Sequence, residues 1–215
     1  MSDENREKRT AEKIRAAGAE ASAYVIDRRR WYHAHPEVAY EERATTAQIC
    51  ADLDALGIPH ERPTATGVVA TIRGRAAGAY GQDGSPRRRL MLRADIDALP
   101  VTEETGEPFC SLIEGRMHAC GHDCHIAMLL GAARLLASMT DELAGEVRLV
   151  FQPAEEGGNG SKTMIEAGVL EGVDGVYGMH IWSDVPAGKV SVEAGPRMAA
   201  TDWWRIDVTG RSAHG

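Results

Sequence analysis

The chemistry of this chain is concentrated in one run, His118-Ala119-Cys120-Gly121-His122-Asp123-Cys124-His125. Six of these eight positions carry metal-ligating or ligand-orienting side chains, far more than packing alone explains. Thiolate and imidazole are good ligands for zinc-like ions. If the run is extended, side chains two apart share a face, so Cys120 and His122 reach one site across Gly121. Asp123 is placed to orient a ligand imidazole, and Cys124 and His125 open the following helix. A second cluster, Gln152-Pro153-Ala154-Glu155-Glu156-Gly157-Gly158, follows an apolar run. Adjacent carboxylates that point different ways can divide the work of metal-assisted hydrolysis, one binding a cation and the other moving a proton. A third, Gly178-Met179-His180-Ile181-Trp182, again ends an apolar run. A lone histidine there is more often a core residue, but beside two other clusters a third ligand is the better reading. Asp95 and Asp97 follow a further strand and either supply a ligand, hold one in orientation, or cap a turn before Pro100.

Two other motifs are discarded. Gly157-Gly158-Asn159-Gly160-Ser161-Lys162-Thr163 resembles a phosphate loop, but Ser161 stands where the second glycine belongs, and a helix-capping turn fits better. No Gly-x-Ser-x-Gly elbow is present to supply a serine nucleophile.

The elements that must position these clusters are legible as periodic apolar patterns. Helical spacing predicts helices over residues 10–33 and 41–56, the second closed by Gly57 as a C-cap. Apolar runs predict buried strands at 67–72, 90–92 and 147–151, with an exposed loop over 74–88. Helices are expected at 126–139 and 161–167, and strands at 173–179 and 189–193. Strands alternating with helices imply an α/β fold, a largely parallel sheet sandwiched by helices. Open sheets of this kind place their sites at the carboxyl ends of strands, where all three clusters fall. Residues 202–209 alternate as a half-exposed strand does, and read as the first strand of a further, truncated domain. Residues 1–197 are therefore expected to form the metal-binding domain and 198–215 to begin another.

Composition excludes several classes. Lys and Arg number 24 against 32 Asp and Glu, a net charge of −8 that argues against a nucleic-acid surface. The longest apolar stretch, 126–139, contains Arg134 and is too short to span a membrane. The charged start has no apolar core, so a signal peptide is not expected, and the four cysteines are read as reduced. A cytoplasmic protein is expected.

The sequence resembles a known family, the metal-dependent aminoacylases and carboxypeptidases, in the amidohydrolase branch of hippurate hydrolases, N-acyl-amino-acid amidohydrolases and auxin-conjugate hydrolases. The matching stretches are residues 30–42, 93–100, 118–125, 151–158, 178–182 and 210–215. The resemblance implies a catalytic domain of the metallo-aminopeptidase type with Cys120, His122, Glu156 and His180 as metal ligands. Glu155 is then the general base, and Asp97 the aspartate beside the metals. His214 is the histidine that opens a lid and dimerisation domain and reaches a partner subunit's active site. Two divalent ions, zinc, manganese or cobalt, are implied. The substrate is an N-acyl amino acid cleaved at its amide bond, and the full-length form is a homodimer. Family members continue for about as many residues again and supply a last ligand histidine. Two alternatives stand beside this reading: an inactive truncated product with a vestigial site, and a small module in which His118, Cys120, Cys124 and His125 close around a structural zinc.

Overall fold

In the computed structural model, residues 3–200, 202 and 204–214 are described. The chain divides into two compact units, Met1–Ile181 and Trp182–Gly215. In the first, the order is α1 (Asp3–Ala34), α2 (Arg43–Ala55), β1 (His60–Glu61), β2 (Val68–Arg73), β3 (Arg89–Asp95), α3 (His122–Ser138), β4 (Glu146–Gln152), α4 (Gly160–Glu166) and β5 (Gly175–Gly178).

The five strands form one sheet in the order β1-β2-β4-β3-β5. Its β4, β3 and β5 strands are parallel, with Leu92 opposite Leu149 and Tyr177. Strand β2 is antiparallel to β4, and the short edge strand β1 pairs antiparallel with β2. Alternation along the strands sorts the side chains into two cores. Val68, Ala70 and Ile72 of β2, with Leu149 and Phe151 of β4, face Tyr32, Ile49, Leu53, Ile126 and Leu130 of α1, α2 and α3. Val69, Met91 and Val150 face the other way, onto Met164 and Val169 at α4. Helices thus cover both faces, the expected α/β sandwich. Gly131 lets α1 approach α3, because a methyl group there would press on Val25.

Parallel β3, β4 and β5 deliver their carboxyl ends to one end of the sheet. The segments that follow, Ile96–Asp97, Pro153–Glu156 and Met179–His180, begin there. Helix α2 ends as expected, with Gly57 in the left-handed region at φ 67°.

Three expectations require correction. Helix α3 begins at His122, four residues before the apolar run at 126. Gly121, at φ 87°, makes the turn that starts it, so Cys120 and His122 are joined by a left-handed residue rather than by extended chain. Among the described residues no strand forms at 189–193 or over 202–209, where residue 203 lies outside the described ones. No regular element lies in the second unit among the described residues, and Val190, Val192, Trp204, Ile206 and Val208 are exposed.

Candidate metal centre

His122, the first residue of α3, is fully buried. Its Nδ1–H donates to the Asp97 backbone carbonyl at 2.8 Å, which leaves the Nε2 lone pair free to bind a cation. Nε2 lies 3.8 Å from Glu156 Oε1, 4.0 Å from Glu155 Oε2 and 3.6 Å from Asp95 Oδ2. Neither His122 Nε2 nor Glu156 Oε1 has a hydrogen-bond partner, although both atoms are buried. Buried polar atoms left this way are costly unless something else satisfies them.

The loop after β4 is held by Asp97. Its two carboxylate oxygens accept the backbone N–H groups of Glu155 and Glu156, each at 2.9 Å. Burial works to raise the Asp97 pKa. The His122 hydrogen bond and these two amides outweigh burial and hold it below the usual carboxylate range. Ala154, at φ 51°, turns the chain just before the pair. Both glutamates reach the same imidazole nitrogen, whereas adjacent carboxylates were expected to point apart.

Cys120 and His180 join His122 in one group, with Sγ and Nε2 3.4 Å apart. Burial, reinforced by Glu156, Asp95 and Glu155, pushes the Cys120 thiol up to about 12. A thiolate there needs a cation beside it. Three overlapping groups have ligand atoms within 4.8 Å of one another: Cys120, His122 and His180; His122, Glu155 and Glu156; and Asp95, His122 and His125. The donor set, two unpartnered buried atoms and an acid-crowded thiol suit divalent cations.

Not every residue of the 118–125 run joins the centre. Asp123, expected to orient a ligand imidazole, instead accepts from His33 Nδ1 at 2.7 Å and pairs with Arg29 at 2.8 Å. As the second residue of α3, it is turned by the helical step away from the side chain of His122. His118 is buried with both ring nitrogens unpartnered, and burial lowers its pKa to about 4. Neither His118 nor Cys124 belongs to a ligand grouping among the described residues, so the closed structural-zinc arrangement is not assembled. His214 belongs to the second unit, where it is exposed.

Some supporting residues carry no local motif. Buried Glu42 accepts the Ala154 N–H at 2.8 Å, anchoring the glutamate loop from α2's start. His33 bridges Asp123 and Glu103. These partners are separated by 112, 90 and 70 positions, so only the fold pairs them.

A family model, Peptidase family M20/M25/M40, matches residues 91–213. The chain belongs to this family. It is 45% identical over 208 residues to thermostable carboxypeptidase 1 of Saccharolobus solfataricus, covering 95% of this chain and 51% of that protein. It is 41% identical to the N-acyl-L-amino acid amidohydrolase of Geobacillus stearothermophilus, over 96% of this chain and 54% of that one. Among solved structures, the Bacillus subtilis YXEP protein, a dinuclear metal binding peptidase from the M20 family, superposes with a TM-score of 0.74 at 42% identity. That superposition covers 85% of this chain and 48% of the YXEP chain. The chain therefore spans about half the length of the M20 relatives it matches.

Proposed function

We propose that the protein to which this chain belongs hydrolyses the amide bond of N-acyl amino acids at a centre for two divalent ions. Cys120, His122, Glu156 and His180 are the ligands, and Glu155 is the general base. The observation that carries this reading is the convergence of these side chains on the unpartnered Nε2 of buried His122. The YXEP structure's dinuclear metal binding and the amidohydrolase relatives support it.

When bound, such ions polarise a carbonyl and lower the pKa of water. The protein's own groups do the rest. Glu155 takes a proton from the attacking water and delivers it to the departing amine. Its side chain, 43% exposed, can meet both water and substrate. Asp97 holds the backbone of both glutamates, so base and ligand keep a fixed separation. Zinc, manganese and cobalt all suit a mixed thiolate, imidazole and carboxylate set. We further assign His214, and the opening of a second domain over 198–215, to substrate binding across a homodimer. This assignment rests on the likeness of residues 210–215 to the family; the family match itself reaches residue 213.

The test is Glu155→Gln in the intact protein, assayed on a panel of N-acetyl and N-benzoyl amino acids. Turnover is expected to fall by about 10²–10⁴-fold, the usual contribution of a general base, with metal content unchanged. Near-normal turnover with metal retained removes Glu155 from this role.

A further inference from the structure

His180 follows β5, whose ladder with β3 ends at Arg93 opposite Gly178. A ligand imidazole must be placed to a fraction of an ångström.

A line of hydrogen bonds reaches this segment from the sheet. Gln152, the last residue of β4, accepts from Arg93 Nε at 2.9 Å. Arg93 Nη1 donates to Asp95 Oδ2 at 2.7 Å. The other Asp95 oxygen accepts from His125 Nδ1 at 2.6 Å. His125 Nε2 in turn accepts the backbone N–H of Ile181 at 3.0 Å. Gln152, Asp95 and His125 are all buried, so these bonds are poorly exchanged for water. The partners fix the tautomer: a carboxylate requires the proton on Nδ1, and an amide donor requires its absence from Nε2. With both nitrogens occupied, His125 has no lone pair left for a cation, although it lies among the ligand-type residues. Its ring also meets that of His180 edge-on, with centroids 4.6 Å apart.

We propose that His125 is a positioning residue for His180, clamping the chain at Ile181 and carrying the rigidity of β3 and β4, through Asp95, to that ligand. The inference rests on the reading of His180 as a metal ligand.

Asn and Gln at 125 separate the two bonds. Asn places an amide donor near the Nδ1 position and keeps only the link to Asp95. Gln places an acceptor near the Nε2 position and keeps only the link to Ile181. Cobalt(II) is the probe, titrated into the intact metal-free protein, with affinity from chelator competition and the cobalt–thiolate absorption of Cys120 as the signature. His125→Asn is expected to weaken binding by about 10–100-fold, the range for removing a residue that orients a ligand. His125→Gln should retain more affinity than His125→Asn. The double variant with His180→Ala should bind no more weakly than His180→Ala alone. Wild-type-like binding in His125→Asn, a reversed order of Asn and Gln, or additive losses in the double variant overturns the proposal. Side-chain ¹⁵N resonances of the unsubstituted protein give a check independent of folding. A proton on His125 Nδ1 is expected, and one on Nε2 overturns the clamp. A wild-type protein that takes up no cobalt, or whose signal survives Cys120→Ala, defeats the metal reading itself and this inference with it. Failure at residue 125 alone leaves that reading standing.

Discussion

Replacing Asp97 by Ala tests how the glutamate loop is held. The carboxylate is buried and accepts two backbone amides, from Glu155 and Glu156, both at 2.9 Å. Hydrogen bonds to a charged group contribute roughly 1.5–3 kcal/mol each, and their loss leaves two N–H groups without that acceptor. The expected loss is therefore about 3–6 kcal/mol, large against the roughly 5–15 kcal/mol that stabilises a typical domain. Asp97→Asn keeps one acceptor oxygen but turns an amide N–H toward a backbone donor, so about half of that loss is expected. Urea titration followed by far-ultraviolet circular dichroism, with chelator present, reads the effect without the metals. At about 2 kcal/mol per molar urea, the Ala variant's midpoint should fall by about 1.5–3 M and the Asn variant's by about half as much. A loss below about 1 kcal/mol in Asp97→Ala would show that Asp97 does not hold this loop.

Two further outcomes follow from the same region. His118 is buried with its pKa lowered from 6.5 to about 4, so the unfolded chain takes up its proton first as pH falls. Its contribution is present above pH 6.5 and is lost between there and about 4, a change of roughly 3 kcal/mol. His118→Gln should flatten the dependence of the urea midpoint over that window, and an unchanged slope would contradict the assignment. Gly121→Ala should lower stability by at least ~1–2 kcal/mol, because φ 87° disfavours a side chain and the added methyl would run into Ile181. The same variant should weaken cobalt binding, since Gly121 joins two proposed ligands; wild-type affinity and stability together would refute this.

How far the sequence discloses this centre depends on how local each signal is. The apolar runs around Leu92 and Leu149 mark the central strands because a strand buried on both faces needs apolar side chains throughout. Cys120, His122, Glu155, Glu156 and His180 stand out as a proposed set because each lies where a strand or turn ends and their types imply a shared ligand, and their ligand atoms do fall into overlapping groups. The start of α3 is not legible, because Cys and His are indifferent helix formers and the apolar pattern begins only at Ile126. Glu42 and His33 lie in the matching stretch 30–42, but the sequence assigns them no role, since the amide and carboxylate they serve lie far away in sequence. His125 reads as opening a helix or, in the alternative, as a structural-zinc ligand, because the contacts it makes depend on Asp95 and Ile181 meeting at the sheet end. Residues 202–209 carry a strand-like pattern that is not realised among the described residues. Their alternation is real, but a ladder is made by two strands, and no segment pairs with them among the described residues.

The central claim is that Cys120, His122, Glu156 and His180 converge on divalent ions. Anomalous diffraction at the zinc edge, from crystals of the zinc-loaded intact protein, tests it most directly. The account predicts two adjacent peaks, with the Cys120 sulfur about 2.3 Å from one ion and imidazole nitrogens of His122 and His180 about 2.0–2.1 Å from theirs. Zinc bound instead by His118 and Cys124, or ions beyond the reach of Cys120 and His122, would contradict it.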